Sequence, residues 1–187
     1  MIIIVSGLPR SGTSMMMRML EAGGVAVLAD GARPPDTNNP FGYYELERVR
    51  HAQGDFSWLS DAEGKAVKIV SPLLRDLPRD LECRIVFMTR RIDEIVASQA
   101  DMLRSIGRVE QAEDSGMAQH FRVHLAATRA WLARQPHLSV LYCDYHSVLD
   151  APLEQARQVA RFLDRDLDIR RMAQAVDPAL ARHRAVE

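Results

Sequence analysis

Cysteine, long hydrophobic runs and an excess of one charge are all scarce in this sequence. The two cysteines, Cys83 and Cys143, lack CxxC spacing and are too few for a disulfide framework, so we expect both to be reduced thiols. The first hydrophobic run, residues 2–5, ends before a glycine loop, and no later run approaches the length of a membrane span. We therefore expect no signal peptide and no membrane anchor, and predict a cytoplasmic protein.

Charge is nearly balanced along the chain. There are 24 Lys and Arg residues against 25 Asp and Glu, a net charge of −1, and the basic residues form no stripe. This pattern argues against a nucleic-acid partner. With 187 residues and no internal repeat, the chain is long enough for one hydrophobic core and short for two. We predict a single domain spanning residues 1–187, with a small acceptor site or one that a second copy completes in a homo-oligomer.

Hydrophobic runs alternate with helical patterns. The runs cover residues 2–5, 25–28, 66–70, 85–88 and 138–142. Between them apolar residues recur at helical spacing, for example in residues 15–20 and 117–132. The alternation predicts an α/β fold with a mostly parallel sheet of about five strands, flanked by helices on both faces.

A glycine-rich loop follows the first run. Residues 7–14 read Gly-Leu-Pro-Arg-Ser-Gly-Thr-Ser. Gly7 and Gly12 allow backbone N–H groups to point inward, and the helix that begins after Gly12 presents its positive end to an anion. A nucleotide-hydrolysing P-loop has lysine where this chain has Thr13, and the cation here is Arg10. The sequence therefore predicts a single-domain P-loop fold whose ligand carries phosphate but is not ATP with Mg²⁺.

An arginine follows the fourth hydrophobic run. Arg90 follows the predicted strand at residues 84–89, and Ser98 lies eight residues later on a predicted helix. Because the carboxyl ends of parallel strands border the ligand crevice of such sheets, the two side chains can share a ligand there. Taken alone, the pair is more typical of a solvated arginine and an ordinary helix serine. Together with the glycine loop, binding becomes the better interpretation.

Residues 9–14 resemble the 5′-phosphosulfate loop of the sulfotransferase superfamily, which reads P-[KR]-S-G-T-[ST]. The spacing of Arg90 and Ser98 is similar to the element with which that family binds a 3′-phosphate. The resemblance implies a sulfotransferase that takes 3′-phosphoadenosine 5′-phosphosulfate (PAPS) as donor, uses no metal and sulfates a hydroxyl or amine of a small acceptor. It implies donor contacts from the following residues: Gly7, Pro9, Arg10, Ser11, Gly12, Thr13, Ser14, Arg90 and Ser98.

Two further segments resemble the superfamily more loosely. Residues 39–45 are similar to its N-P-x-G-Y-[FY]-E segment, and residues 140–145 to its late strand and the tyrosine that follows. The resemblance implies that Tyr145 contacts the donor adenine, although packing at a strand end explains this tyrosine equally well. His146 and Ser147 stand where the family usually has Glu-Asp, which changes the local hydrogen bonding.

Three residues are candidates for catalysis. Arg10 would stabilise charge on the transferred group. Glu45 is our first candidate for the base that takes the acceptor proton, with a helix-N-terminal glutamate as the alternative. Lys68 matches the strand lysine that precedes the catalytic histidine of cytosolic sulfotransferases, with pairing to a carboxylate as the alternative; no histidine follows it here.

His120 and His124 lie four residues apart on one helix face, but no third metal ligand is evident.

Two other functions stay open from the sequence. One is a P-loop kinase or nucleotide hydrolase with its cation moved to Arg10, against which stand Thr13 and the lack of an obvious Mg²⁺-binding aspartate. The other is a non-catalytic nucleotide-binding protein of the same fold. Polar segments at residues 30–42 and 105–116 are candidates for a substrate-entry loop and a lid. The sequence does not indicate which acceptor is used.

Overall fold

The fold is built on one five-stranded parallel sheet. The computed structural model describes residues 1–31, 34–36, 39–50, 55–108 and 116–180. Their strands run in the order β2-β3-β1-β4-β5, with every pair parallel. The strands are β1 Ile2–Gly7, β2 Val27–Leu28, β3 Ala66–Lys68, β4 Cys83–Thr89 and β5 Leu138–Asp144. The predicted α/β fold and all five predicted strands are confirmed.

Helices connect the strands. The α-helices are α1 Thr13–Ala22, α2 Glu47–Arg50, α3 Ile92–Ser105, α4 Met117–Leu132, α5 Tyr145–Asp150, α6 Pro152–Leu163 and α7 Ile169–Gln174. Short 3₁₀ helices cover Ser57–Ala62, Ser71–Asp76 and Pro178–Leu180. Two of the α-helices begin with a side-chain cap: the Asp144 carboxylate accepts from the backbone N–H of Ser147 at α5, and Asp168 caps α7 in the same way.

Both faces of the sheet are covered, as predicted. Successive side chains of a strand point to opposite faces. Ile3 and Val5 of β1 accordingly pack into a core with residues of α1, α6 and α7, whereas Ile2 and Ile4 pack with residues of the segment 46–77 and Leu132 of α4. This two-sided burial explains why β1 reads as an unbroken apolar run rather than as alternating polar and apolar residues.

The strand order determines where a ligand can bind. β1 lies between β3 and β4, so the chain winds first to one side of β1 and then to the other. In an open parallel sheet, the crevice at such a reversal lies at the carboxyl ends of the strands. The loop after β1, the end of β3 and the residues after β4 therefore meet at one edge.

Two further expectations from composition bear on the described residues. No described helix combines the length and apolar character that a membrane crossing requires. Cys83 and Cys143 are both buried free thiols, as predicted. Burial raises the pKa of Cys83 to about 11 and that of Cys143 to about 12, so neither is a thiolate near neutral pH.

Candidate functional site

A cavity of about 430 Å³ opens at the carboxyl ends of β1, β3 and β4. This volume is suitable for a small ligand. It brings together the glycine loop, the 90–98 element and the 39–45 segment, which are far apart in sequence. The predicted site residues on its wall are Pro9, Arg10, Gly12, Thr13, Ser14, Glu45, Lys68, Arg90, Ser98 and Tyr145.

The glycine loop has the backbone shape of an anion cradle. Gly12 precedes α1 with φ +98°, and Arg10, although not a glycine, has φ 68°. Positive φ is costly for a residue with a side chain and is often found at functional sites. The Ser11 side chain is fully buried, and its hydroxyl donates to the Leu8 carbonyl oxygen at 2.7 Å. This hydrogen bond stabilises the turn on its buried side. Ser11 and Gly7 therefore support the loop and do not lie on the described cavity wall.

Close packing explains the need for glycine at both ends of this loop. A Cβ atom on Gly7 would lie 2.4 Å from Ser11 Oγ and 2.6 Å from the Met88 carbonyl oxygen, and one on Gly12 would lie 2.7 Å from Cδ2 of Tyr145. No side chain fits at these distances. The loop can thus lie directly on β4 and on Tyr145, which leaves its outer surface to a ligand.

Hydrogen bonds join the loop to the 90–98 element. Arg10 Nε donates to Ser98 Oγ at 3.0 Å, and Arg90 donates through Nη1 to the Arg10 carbonyl oxygen at 3.2 Å. The three side chains that the sequence proposed for the 5′ and 3′ ends of a donor are therefore in one connected network. Such a network positions two cations close together at one end of the cavity.

A buried carboxylate compensates the charge of Arg90. Glu94, one helical turn along α3, accepts from Arg90 Nε at 2.9 Å and lies 2.8 Å from His146 Nε2. The side chains of Arg90 and Glu94 are only 6% and 3% exposed. On the other side of Arg90, the guanidinium lies 4.2 Å from the ring centroid of Tyr145, a cation–π distance. Arg90 is thereby fixed in position by Glu94 and Tyr145.

Lys68 and Glu45 meet at the end of β3. Lys68 Nζ lies 3.5 Å from Glu45 Oε1 and donates to the Tyr43 carbonyl oxygen. The Ser14 hydroxyl donates to the same carbonyl oxygen at 3.2 Å. Lys68 is almost fully buried, whereas Glu45 is 23% exposed. The structure therefore places a cation and a partly accessible carboxylate beside the first turn of α1.

The 39–45 segment is ordered by its own side chains. Tyr43 is buried, and its hydroxyl donates to Asp36 at 2.7 Å. Tyr44 has φ 51° and donates from its hydroxyl to Glu21 at 2.6 Å, which together with burial raises its pKa. Glu45 does not begin a helix, because α2 starts at Glu47. Glu45 lies two residues before this helix, and both interpretations of the residue stay predictions.

The two histidines of α4 make different contacts. His120 is exposed, whereas His124 is half-buried and lies 2.9 Å from Ser71 Oγ and 3.3 Å from Thr128 Oγ1. Burial, and secondarily the charges of His120 and Arg75, lower the pKa of His124. In the part of the chain that the structure describes, no group of three His, Cys, Asp or Glu side chains could hold a metal ion.

The two polar segments are covered only in part. Residues 39–41 of the predicted entry loop line the cavity, whereas residues 32–33 and 37–38 lie outside the described residues. Most of the predicted lid, residues 109–115, also lies outside them.

Sequence reasoning missed some residues of the site. Arg18 lines the cavity one helical turn after Ser14, a position that the i, i+4 spacing on α1 could have indicated. The contact of His146 with Glu94 joins residues 52 positions apart, and it depends on β5 lying beside β4, the two strands that lead to these residues. No local signal marks that pairing.

Comparisons with known proteins bear on the fold. No family model matches the chain, and no curated protein matches it. Solved structures do match. The sulfotransferase STF9 from Mycobacterium avium has a TM-score of 0.55 and 15% identity, over 93% of this chain and 66% of that one. This chain thus spans slightly less than two thirds of STF9.

Two further structures give the same result. The sulfotransferase domain of the Synechococcus PCC 7002 olefin synthase has a TM-score of 0.54 and 16% identity, over all of this chain and 84% of that one. Mouse sulfotransferase SULT7A1, complexed with PAP, has a TM-score of 0.54 and 14% identity, over all of this chain and 68% of that one. At these identities the likeness shows the fold. The predicted α/β fold, similar to that of these solved sulfotransferases, is confirmed.

Proposed function

We propose that this protein is a PAPS-dependent sulfotransferase acting on a hydroxyl or amine of a small acceptor. The observation that carries the proposal is the network of Arg10, Ser98 and Arg90 at one end of a cavity whose wall also includes Lys68 and Glu45. It supplies donors for two separate phosphate groups and, beside them, a cation and a carboxylate suited to a transfer reaction.

The residues present fit such a donor. The loop has glycine at two positions where a Cβ would clash with β4 or Tyr145, so its backbone can form the cradle, and its helix N-terminus favours an anion. Arg10 and the backbone of residues 9–14 would hold the 5′ group, while Arg90 and Ser98 would hold the 3′-phosphate. Tyr145 packs beneath the loop and against Arg90. We therefore assign Tyr145 mainly the role of positioning Arg90. It would contact the donor adenine only through the edge of its ring.

The chemistry assigns a different role to each nearby side chain. The donor supplies an activated sulfuryl group. The acceptor oxygen or nitrogen attacks its sulfur. At the same time the bond from sulfur to the 5′-phosphate oxygen breaks, and that oxygen keeps the electron pair. Glu45 takes the proton from the acceptor. Lys68 and Arg10 stabilise negative charge on the transferred and leaving oxygens. Lys68 also orients Glu45 through their 3.5 Å contact.

Cations at the strand ends distinguish this proposal from a kinase. A P-loop enzyme that uses Mg²⁺ holds the metal with a hydroxyl of the loop and an aspartate at the end of a strand. In this sheet, the neighbours of β1 are β3 and β4. β3 ends at Lys68, and Arg90 directly follows β4. Positive side chains in those positions favour a ligand whose phosphates are neutralised by protein, not by a metal ion.

Calorimetric titration tests the donor site. The protein is titrated with adenosine 3′,5′-bisphosphate, with and without EDTA, and separately with ATP and Mg²⁺. We expect binding of the bisphosphate that does not depend on metal and is tighter than binding of ATP. Preference for ATP with Mg²⁺ would support the kinase alternative instead. Transfer of labelled sulfate from PAPS to a panel of hydroxyl and amine acceptors then tests catalysis, and bisphosphate binding without transfer to any acceptor would support a non-catalytic binder.

A further inference from the structure

The cavity extends beyond the residues assigned to the donor. Its remaining wall is mainly apolar and is formed by segments from five parts of the chain. These wall residues include Met15, Leu46, Val49, Leu73, Met102 and Leu180. A wall of this kind suits an aromatic or aliphatic body.

Arg18 is a cation on this wall. It follows Ser14 by four residues, so the two residues lie on the same face of α1, about 6 Å apart along the helix axis. The opposite face of the helix, including Met16 and Leu20, is buried in the core. Arg18 is therefore held at the cavity by the packing of its own helix.

The side chain of Arg18 is partly shielded from solvent. Its Nε is shielded from solvent and has no hydrogen-bond partner among the described residues. Its central carbon lies 3.8 Å from the ring centroid of Phe41, an aromatic residue that is half exposed at the same cavity. Burial lowers the pKa of Arg18. Because Nε is closed to solvent, a ligand in the cavity would meet Arg18 at its outer nitrogens, Nη1 and Nη2, which together carry four N–H donors.

Acidic groups near Arg18 could compete with a ligand for its charge. Asp177 and Tyr44 interact with it electrostatically and raise its pKa, although less than burial lowers it. Tyr44 is hydrogen-bonded to Glu21, and Asp101, also on the cavity wall, is 3.2 Å from Arg104. Asp177 and Tyr44 therefore favour the charged form of Arg18, and no hydrogen bond from either to Arg18 is seen among the described residues.

We propose that the acceptor is an apolar hydroxy acid, whose carboxylate binds Arg18 while its hydroxyl lies near Ser14, Lys68 and Glu45. The proposal rests on the sulfotransferase function and adds the substrate class. The apolar wall contacts the body of the acceptor, and Phe41 covers the arginine. The cavity measures about 430 Å³ and the donor would fill part of it, which favours a molecule the size of a substituted phenol over a longer chain.

Matched acids and esters provide the test. The probes are 4-hydroxyphenylacetate and its methyl ester, which differ in charge but little in shape. The binding of each to the protein saturated with adenosine 3′,5′-bisphosphate is measured by calorimetry, and kcat/KM for each is measured with PAPS. We expect the affinity for the acid to exceed the affinity for the ester by about tenfold or more, because the acid can form a hydrogen bond between charged groups.

Variants assign the preference to one side chain. Arg18→Gln should reduce the ratio of acid to ester affinity to about one, and Arg18→Lys should retain part of it because the charge remains. Arg122→Gln removes an equal charge from an exposed position on α4 and should leave the ratio unchanged. Equal affinity for acid and ester, or a ratio that Arg18→Gln leaves intact, would overturn the proposal. If the glutamine variant does not fold, Arg18→Lys replaces it, and a ratio equal to that of the wild type would then overturn the proposal.

The outcomes separate this proposal from the function on which it rests. Acid binding that depends on Arg18, without sulfate transfer, would retain the anion site and reject catalysis. Transfer to the ester and to the acid with the same kcat/KM would retain the sulfotransferase and reject the anion site.

Discussion

Arg10 and Ser98, 88 positions apart, are joined by a hydrogen bond of 3.0 Å from Nε of the arginine to Oγ of the serine. The bond links the loop after β1 with the middle of α3. Two residues that the sequence assigned to different ends of a donor molecule thus contact each other directly. A donor that bridges them would take up hydrogen bonds that the two side chains now exchange.

Replacing Ser98 with alanine tests the 3′-phosphate assignment. The change removes one hydroxyl donor from the proposed 3′ site, so affinity for adenosine 3′,5′-bisphosphate should fall on the order of tenfold. Affinity for adenosine 5′-monophosphate, which lacks the 3′ group, should change much less. Calorimetry with both nucleotides measures the difference.

Ser105→Ala is the matched control for this experiment. Ser105 ends the same helix, is exposed, and donates to the Met102 carbonyl oxygen away from the loop. Its loss should affect neither nucleotide. If Ser98→Ala weakens both nucleotides equally, Ser98 supports the loop through Arg10 and does not bind a 3′-phosphate.

Glu45→Gln tests the assignment of the base. The amide keeps the shape of the side chain but cannot take a proton, so sulfate transfer should fall by about 100-fold or more while binding of the bisphosphate persists. Labelled-sulfate assays and calorimetry measure the two quantities. Glu47→Gln, on the exposed side of the next turn, should leave transfer unchanged. Equal turnover in Glu45→Gln and the wild type would eliminate Glu45 as the base.

Local patterns were sufficient to predict the strands and the loop. The run at residues 2–5 is unbroken because β1 is buried on both faces, and residues 7–14 carry their own turn chemistry. Arg90 could be placed near the loop because any parallel sheet gathers the carboxyl ends of its strands. These predictions needed no knowledge of which strands are neighbours.

Contacts across the fold could not be predicted in the same way. The pairing of Lys68 with Glu45 depends on how the 39–45 segment passes over the end of β3, and that path is set by the buried Tyr43 and its bond to Asp36. The Glu94–His146 contact likewise needs β5 beside β4. Sequence spacing carries no information on either arrangement.

The buried Glu94 should contribute to stability far more than its exposed neighbour. Glu94→Gln removes the charge that compensates Arg90, and breaking a buried pair in this way should cost about 3 kcal/mol of unfolding free energy. Asp93→Asn removes a carboxylate whose pair with Arg91 is exposed, and should cost at most about 1 kcal/mol. Urea unfolding of both variants measures the difference, and equal losses would contradict the role of Glu94.

His124 should make stability depend on pH. Its pKa in the folded protein is lowered by burial, so the unfolded chain binds the proton more readily. The neutral imidazole therefore contributes stability above the ordinary pKa of 6.5, and this contribution is lost as pH falls towards the lowered folded value. We expect the advantage of the wild type over His124→Gln in unfolding free energy to shrink between pH 7.5 and pH 5. An advantage that stays constant over this range would show that His124 does not titrate as assigned.

Two glycines with the same φ separate backbone strain from steric clash. Gly12 and Gly24 both have φ +98°, but a Cβ on Gly24 would meet nothing within 4 Å, whereas one on Gly12 would lie 2.7 Å from the Tyr145 ring. Gly24→Ala should therefore cost only the strain, about 1–2 kcal/mol. Gly12→Ala should cost about 1–3 kcal/mol more, because the ring has to move.

Bisphosphate binding adds a second measurement to this comparison. Displacing Tyr145 also disturbs the Arg90 guanidinium stacked on its ring, so Gly12→Ala should weaken binding and Gly24→Ala should not. Combining Gly12→Ala with Tyr145→Ala should recover part of the extra unfolding free energy, which a double-mutant cycle measures. A cycle without coupling would mean that the loop, and not the ring, yields to the added methyl group. In that case the fixed position of Arg90 would have to come from Glu94 alone.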